Sequence, residues 1–267
     1  MAADDKKDPY IVGMSYNSAR DDLFLADDSN KVVRAIRVRD NTPAATTPAR
    51  QRLRDVYRAP HDLCGVCGVT RLCSVCHMSG SDTLLVSSTE RGARWLVALT
   101  RNDSEWREAQ RVQTDVSGGI SGPLSGSRVL IGEWSSKRME LFHLDSGPRI
   151  ALVRSIHVRE QYLSFSATCG SDTRVAISYR KDQSVRVHRL DGNQLKELAR
   201  IKLKWPDRLL WLSDRLLVAD FDREAIERLH RARNERHATR TPPRTHRHKR
   251  EEQCEQFVCS KRRTRNL

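Results

Sequence analysis

Two groups of residues in this chain have the types and spacing that chemistry needs. The first is a cysteine cluster, Cys64-Gly65-Val66-Cys67-Gly68 followed by Cys73-Ser74-Val75-Cys76-His77. Two C-x-x-C pairs can offer Cys64, Cys67, Cys73 and Cys76 as four thiolates to a tetrahedral zinc, and the glycine after Cys67 suits a knuckle turn. Only five residues separate the pairs, however, which is short for common zinc modules. Cys76 also falls on an ordinary strand position, where a free cysteine packs as a small hydrophobe. Packed or exposed thiols are therefore the favoured reading. Cys73 to His77 spells a c-type haem attachment signature too, but nothing else in the chain reads as a haem domain.

The second group is a set of carboxylates, Asp27, Glu133 and Asp220, which stand at one place in an internal repeat described below. Short acidic side chains at strand ends commonly accept turn hydrogen bonds. Ser88 and Tyr179 fill the other two copies and are poor cation ligands. Other catalytic signatures are missing: there is no G-x-S-x-G elbow, no phosphate-cradling G-x-x-x-x-G-K and no H-E-x-x-H. Asn102-Asp103-Ser104 has the form of a glycosylation sequon. Trp95, Trp134 and Trp211 lie in or beside expected strands and read as core packing.

These residues are positioned by repeated strands. Leu23-Phe24-Leu25-Ala26-Asp27, Leu84-Leu85-Val86-Ser87-Ser88, Val129-Leu130-Ile131-Gly132-Glu133, Val175-Ala176-Ile177-Ser178-Tyr179 and Leu216-Leu217-Val218-Ala219-Asp220 each put a small residue after an apolar triplet. Met14-Ser15, Met78-Ser79, Leu124-Ser125, Thr168-Cys169 and Leu212-Ser213 are read as the turn before each triplet. Gly-, Ser- and Asp-rich turns then join antiparallel strands. Third strands are expected near Val32–Val38, Arg94–Leu99, Met139–Leu144 and Val185–Leu190, and fourth strands near Ala151–Val158 and Leu195–Leu203. The small residues fall at 26, 87, 132, 178 and 219, giving intervals of 61, 45, 46 and 41. The last three match the period of a propeller blade, and the first is longer by roughly one loop. The expected fold is all-β, an incomplete β-propeller of about five four-stranded antiparallel blades near 10–60, 72–115, 120–160, 165–205 and 208–230.

The run Leu23 to Ile36, with Asp27, Asn30 and the basic, β-branched strand that follows, resembles an NHL-type propeller repeat, and Leu216 to Asp220 is similar. The resemblance spans roughly residues 10–222, is specific in these two copies, and also touches WD40-like and lactonase-like families. It implies a six-bladed type of ring. Hydrolytic propellers of this kind can hold calcium in the central channel with carboxylates and amides, as a hard cation wants oxygen ligands. That makes Asp27, Glu133 and Asp220 candidate channel ligands. One fold of this sort hosts many functions, so the resemblance fixes none.

Charge and composition narrow the classes. The net charge is +14, yet Arg223 to Leu267 holds 14 Lys/Arg against 6 Asp/Glu and thus +8 of it. The tail reads as basic, mostly disordered or partly helical, with a weak apolar stripe at Ala225, Ile226, Leu229 and Ala232. The strand pattern stops after about Leu229, which reads as truncation, an alternative exon or translated non-coding sequence. Thr245–Arg250 and Lys261–Arg265 could bind nucleic acid or direct nuclear import. A single tail aromatic, Phe257, supplies no stacking platform. The N-terminus lacks the apolar core of a secretory signal, and Leu209 to Ala219 is too interrupted to span a bilayer. The chain is expected in the cytoplasm, with the nucleus as the other option.

The leading expectation is a non-catalytic scaffold whose rim meets a protein or peptide, without membrane or cofactor. Two other readings are a calcium-dependent propeller hydrolase of lactonase or esterase type, and nucleic-acid binding through the tail.

Overall fold

In a computed structural model, residues 8–38, 53–59, 70–103, 105–124, 127–134, 136–145, 148–169, 172–212, 215–220, 225–229 and 259–260 are described. They form twenty strands in five four-stranded antiparallel sheets. The first blade contains β1 (Ile11–Asn17), β2 (Asp22–Asp27), β3 (Val32–Arg37) and β4 (Arg54–Arg58). The second contains β5 (Arg71–Met78), β6 (Thr83–Glu90), β7 (Ala93–Asn102) and β8 (Glu105–Thr114). β9 (Gly119–Ile120), β10 (Arg128–Gly132), β11 (Arg138–Leu144) and β12 (Ile150–His157) make the third. β13 (Ser164–Cys169), β14 (Thr173–Tyr179), β15 (Ser184–Asp191) and β16 (Gln194–Lys202) make the fourth. The fifth has β17 (Pro206–Leu212), β18 (Arg215–Asp220), β19 (Ala225–Leu229) and β20 (Cys259–Ser260). The blade architecture read from the repeat is thus observed.

Period-two alternation explains the packing. In each second strand, one set of side chains faces the preceding blade and the other the following one. Phe24, Ala26, Val33 and Ala35 of the first blade meet Leu84, Val86, Val97 and Leu99 of the second in one core. Leu85, Leu96 and Ala98 meet Val129, Ile131 and Phe142 in the next. Leu130, Met139 and Leu141 meet Val175, Ile177 and Tyr179, and Ala176, Val185 and Val187 meet Leu216 and Val218. The apolar triplet is needed for this reason: a strand buried on both faces has no polar side to show.

First strands of neighbouring blades come very close. A Cβ on Gly13 would stand 2.8 Å from Ser74 Cα, so only glycine fits there. Hydroxyls tie successive first strands: Ser15 Oγ accepts from His77 N at 2.8 Å, Ser74 Oγ from Ile120 N at 3.2 Å and Ser166 Oγ from Trp211 N at 3.3 Å. The outermost strands β8, β12 and β16 each carry one extra residue, Ala109, Val153 and Leu198, at the same repeat position. Bulges of this kind twist an exposed edge away from pairing with another chain. The turns also repeat: Asp21 and Asp82 (φ 61° and 44°) precede second strands, and Lys31 and Gln183 (φ 56° and 47°) precede third strands.

Two local expectations are corrected. Ala225–Leu229, where the sequence offered a helical stripe, is a strand paired antiparallel to β18. Added to an apolar sheet, those residues gain ladder hydrogen bonds that an isolated short helix could not match. Met14-Ser15 does not lie at the turn. Met14 pairs with Leu25 as Val75 pairs with Val86, and Asn17 occupies the place of Met78.

A candidate binding face

Antiparallel connectivity sends every second-to-third-strand turn and every link between blades to one end of the molecule. Asp27, Glu133 and Asp220, each at the end of a second strand, belong to that end.

Asp27 is fully buried, and its carboxylate is engaged on all sides. Oδ1 accepts from Tyr10 N at 3.3 Å and Asn30 N at 3.2 Å. Oδ2 accepts from Asn30 Nδ2 at 2.8 Å and Arg34 Nη1 at 2.6 Å. Its neighbour Asp28 reaches across the seam, accepting from Leu72 N at 2.8 Å and pairing with Lys31 at 2.7 Å. This Asp-Asp-x-Asn-Lys turn therefore anchors the second blade on the first. Glu133 is held in a different seam, 3.2 Å from Arg94 Nε of the second blade. Asp220 lies on β18 and its side chain is outside the described residues.

Cys64 and Cys67 also lie outside the described residues. Cys76 is buried in the core between the second and third blades, with its Sγ 3.6 Å from Ser121 O. Burial pushes its thiol up to about 12. Cys73 is the extra residue of a bulge in β5, and burial raises its thiol against hydrogen bonds from Thr89 and Ser117. Both thiols are therefore neutral at physiological pH and poor nucleophiles. Among the described residues, no group of three or more His, Cys, Asp or Glu could hold a metal ion.

A charged side chain recurs on the third strand, opposite the apolar residue before the small one, where sequence reasoning had not looked. Arg34 pairs with Leu25 across the ladder, Glu140 with Ile131 and Arg186 with Ile177. Glu140 and Arg186 face the preceding blade, and Arg34 stands on the corresponding side of the first. Glu140, almost wholly buried, accepts from Asp115 N at 3.3 Å and lies 3.3 Å from Arg138. Burial raises its carboxyl above the ordinary range. Arg186 lies over the Tyr179 ring at 4.4 Å and bonds Glu160 at 3.0 Å and Asp182 at 2.6 Å. Hydrogen bonds from Ser184, Arg186 and Lys202 hold the Asp182 carboxyl far below its usual range. Aligning the third strands on the small residue would have exposed this position.

The tryptophans divide between core and surface. Trp95 and Trp211 pack against cores as read from the sequence. Trp134 does not: it projects from the β10–β11 turn and is 66% exposed. Trp205, in the link from β16 to β17, is 37% exposed and carries Arg180 over its ring at 4.5 Å. The face thus combines a rigid charged framework with two accessible indoles. Exposed aromatic and arginine side chains on fixed turns are the residue types that anchor protein interfaces.

No protein-family model matches the sequence, and no curated protein matches it. Solved structures match the fold. The chain is similar to a chain of a nidogen/laminin complex, with TM-score 0.52, 9% identity, and coverage of 83% of this chain and 76% of that one. It is similar to a functionally unknown protein from Desulfotomaculum acetoxidans, with TM-score 0.58, 8% identity, and coverage of 82% and 65%. The chain thus spans about two thirds of that protein's length. It is also similar to the Myceliophteria thermophila Cps50 (Swd1) β-propeller domain, with TM-score 0.55, 11% identity, and 82% of each chain covered. At these identities the likeness concerns fold alone, and the fold is that of a β-propeller.

Proposed function

We propose that the chain is a non-catalytic β-propeller scaffold of NHL-like repeats that binds a protein or peptide on the face bearing the second-to-third-strand turns. The carrying observation is Trp134, a large apolar side chain two-thirds exposed on a turn that the Glu133–Arg94 ion pair ties to the neighbouring blade. The Trp205–Arg180 pair adds a second anchor on the same face. A flat indole on a fixed turn loses little conformational entropy on binding. The nidogen/laminin complex supplies a precedent for a similar fold within a protein–protein complex. The Asp27 carboxylate is taken up within the first blade by Tyr10, Asn30 and Arg34, and Glu133 is paired across a seam with Arg94, which favours a scaffold over a channel hydrolase.

The test places a photo-crosslinking amino acid at position 134 in cells and identifies the adduct by mass spectrometry. One dominant protein adduct is expected, with its affinity falling at least tenfold in Trp134→Ala and in Trp205→Ala. Adducts spread over unrelated proteins, or an adduct whose affinity ignores both substitutions, would overturn the reading.

A further inference from the structure

Four cores join five blades, and among the described residues no core joins the fifth to the first. The first blade consequently shows a face that is buried in every other copy. The position of Leu23 is taken by Leu84 and Val129 at 0%, Val175 at 0% and Leu216 at 3% exposure, whereas Leu23 and Leu25 are only half-buried. Met14 holds the place of Val75 and Leu209, and is 68% exposed where those are 2% and 9%. Tyr10 corresponds to Tyr162 once the one-residue bulge in β1 is allowed for. Tyr162 is 3% exposed and donates to Arg138 O of the preceding blade at 3.2 Å, while Tyr10 is 63% exposed.

The opposite half of such a seam lies at the other end of the ring. Leu217 and Ala219 are half-buried, where their counterparts Phe24, Leu85, Leu130 and Ala176, and Ala26 and Ser178, are at 0%. Leu210, cross-strand from Leu217, is 53% exposed. It replaces the seam-facing Ser15, Cys76, Ser121 and Ser166 of the other blades, exchanging a hydroxyl or thiol for aliphatic area.

We infer that the first-blade face is a docking site for the fifth blade of a second copy of this chain. The contact continues, between molecules, the blade-to-blade interface that the chain repeats four times within itself. Met14 and Leu25 stand where Val75 and Val86 receive their neighbours, and Leu217 and Ala219 stand where Phe24 and Ala26 are given. The joint is heterologous, so each added copy presents a fresh face of each kind. Leu210 makes it more apolar than the internal seams, consistent with a joint between separate chains.

Sedimentation equilibrium tests this directly. The parent should show a weight-average mass that rises with concentration from the 30.6 kDa of one chain to at least twice that. Met14→Glu and Leu210→Glu alter exposed side chains, so each should fold with unchanged far-UV dichroism and remain at single-chain mass alone. Mixed one to one, they should form a two-chain species and nothing larger, because each retains one intact half-seam. Trp134→Ala should leave the association untouched, which separates this site from the binding face. Hydrogen exchange at residues 10–16 should slow as parent concentration rises. A parent that stays at single-chain mass, a mixture that fails to pair, or loss of association in Met14→Glu but not in Leu210→Glu would each overturn the inference.

Discussion

Replacing Asp27 by alanine separates the two roles open to this carboxylate. The substitution takes the acceptor from Tyr10 N, Asn30 N and Asn30 Nδ2, and the counter-ion from Arg34. Arg34, whose side chain is 16% exposed, keeps only Asp55 at 3.4 Å. Removing one member of a buried ion pair costs ~3–5 kcal/mol. Arg34 retains Asp55 and some water, which moves the ion-pair loss to the lower end, and the orphaned N–H groups add about 1 kcal/mol each where water cannot reach. A total near 4 kcal/mol is a large part of the ~5–15 kcal/mol that holds most domains folded. Asp27→Asn keeps an acceptor and the shape, and should lose roughly 1.5–3 kcal/mol, as for a hydrogen bond to a charged group. Urea unfolding at pH 7, with and without millimolar calcium, reads the difference. With a slope of about 3 kcal/mol/M, the alanine variant's midpoint should fall by more than ~1 M in both buffers. An alanine variant within about 1 kcal/mol of the parent, or one weakened only when calcium is present, would refute the anchoring role and restore the channel-ligand reading.

Three further outcomes follow from the seams. Gly132→Ala would drive a Cβ into Tyr162 Oη and to 2.8 Å from Phe165 Cε1, costing ~1–3 kcal/mol by overpacking, and Tyr162→Phe in the same chain should restore part of it in a double-mutant cycle. Burial lowers the His188 imidazole below its usual value, so its neutral form supports the fold above about pH 6.5 and that support is lost as pH falls through the folded value. His188→Gln should therefore flatten the decline in melting temperature between about pH 7 and 5, and an unchanged slope would contradict the sign. Cys76, pushed up to about 12, and the raised Cys73 should resist iodoacetamide in the native protein at pH 8 and react once unfolded. Peptide mass mapping that finds Cys76 modified at native conditions would show that its core opens.

Strand order, blade number and the alternation of the triplets were legible in the sequence, because period-two burial on both faces and tight-turn chemistry are local properties. Leu84-Leu85-Val86 between turn signals has the apolar side chains that a doubly buried strand needs. Residues 225–229 show the limit of the same reasoning. A short segment with weak apolar periodicity takes the conformation that a neighbouring ladder stabilises, and β18 decides it. The place of Met14 in β1 was likewise closed to inspection, because the Met-Ser pair it shares with Met78-Ser79 suggests an equivalence that pairing of Tyr16 with Leu23 and Asn17 with Asp22 rules out.

The candidate site divides along the same line. The sequence marked Asp27 and Glu133 as chemically able carboxylates, and tertiary structure gave the first Arg34 as a partner within its own blade and the second Arg94 across a seam. It marked Trp134 as apolar and beside a strand, which holds equally for a core residue and for the exposed indole that it is. Composition and periodicity state which side chains a strand can bury. Whether a facing blade is present to bury them is a non-local fact. Leu84 and Leu23 occupy one repeat position, and only the ring's connectivity covers the first and leaves the second half open.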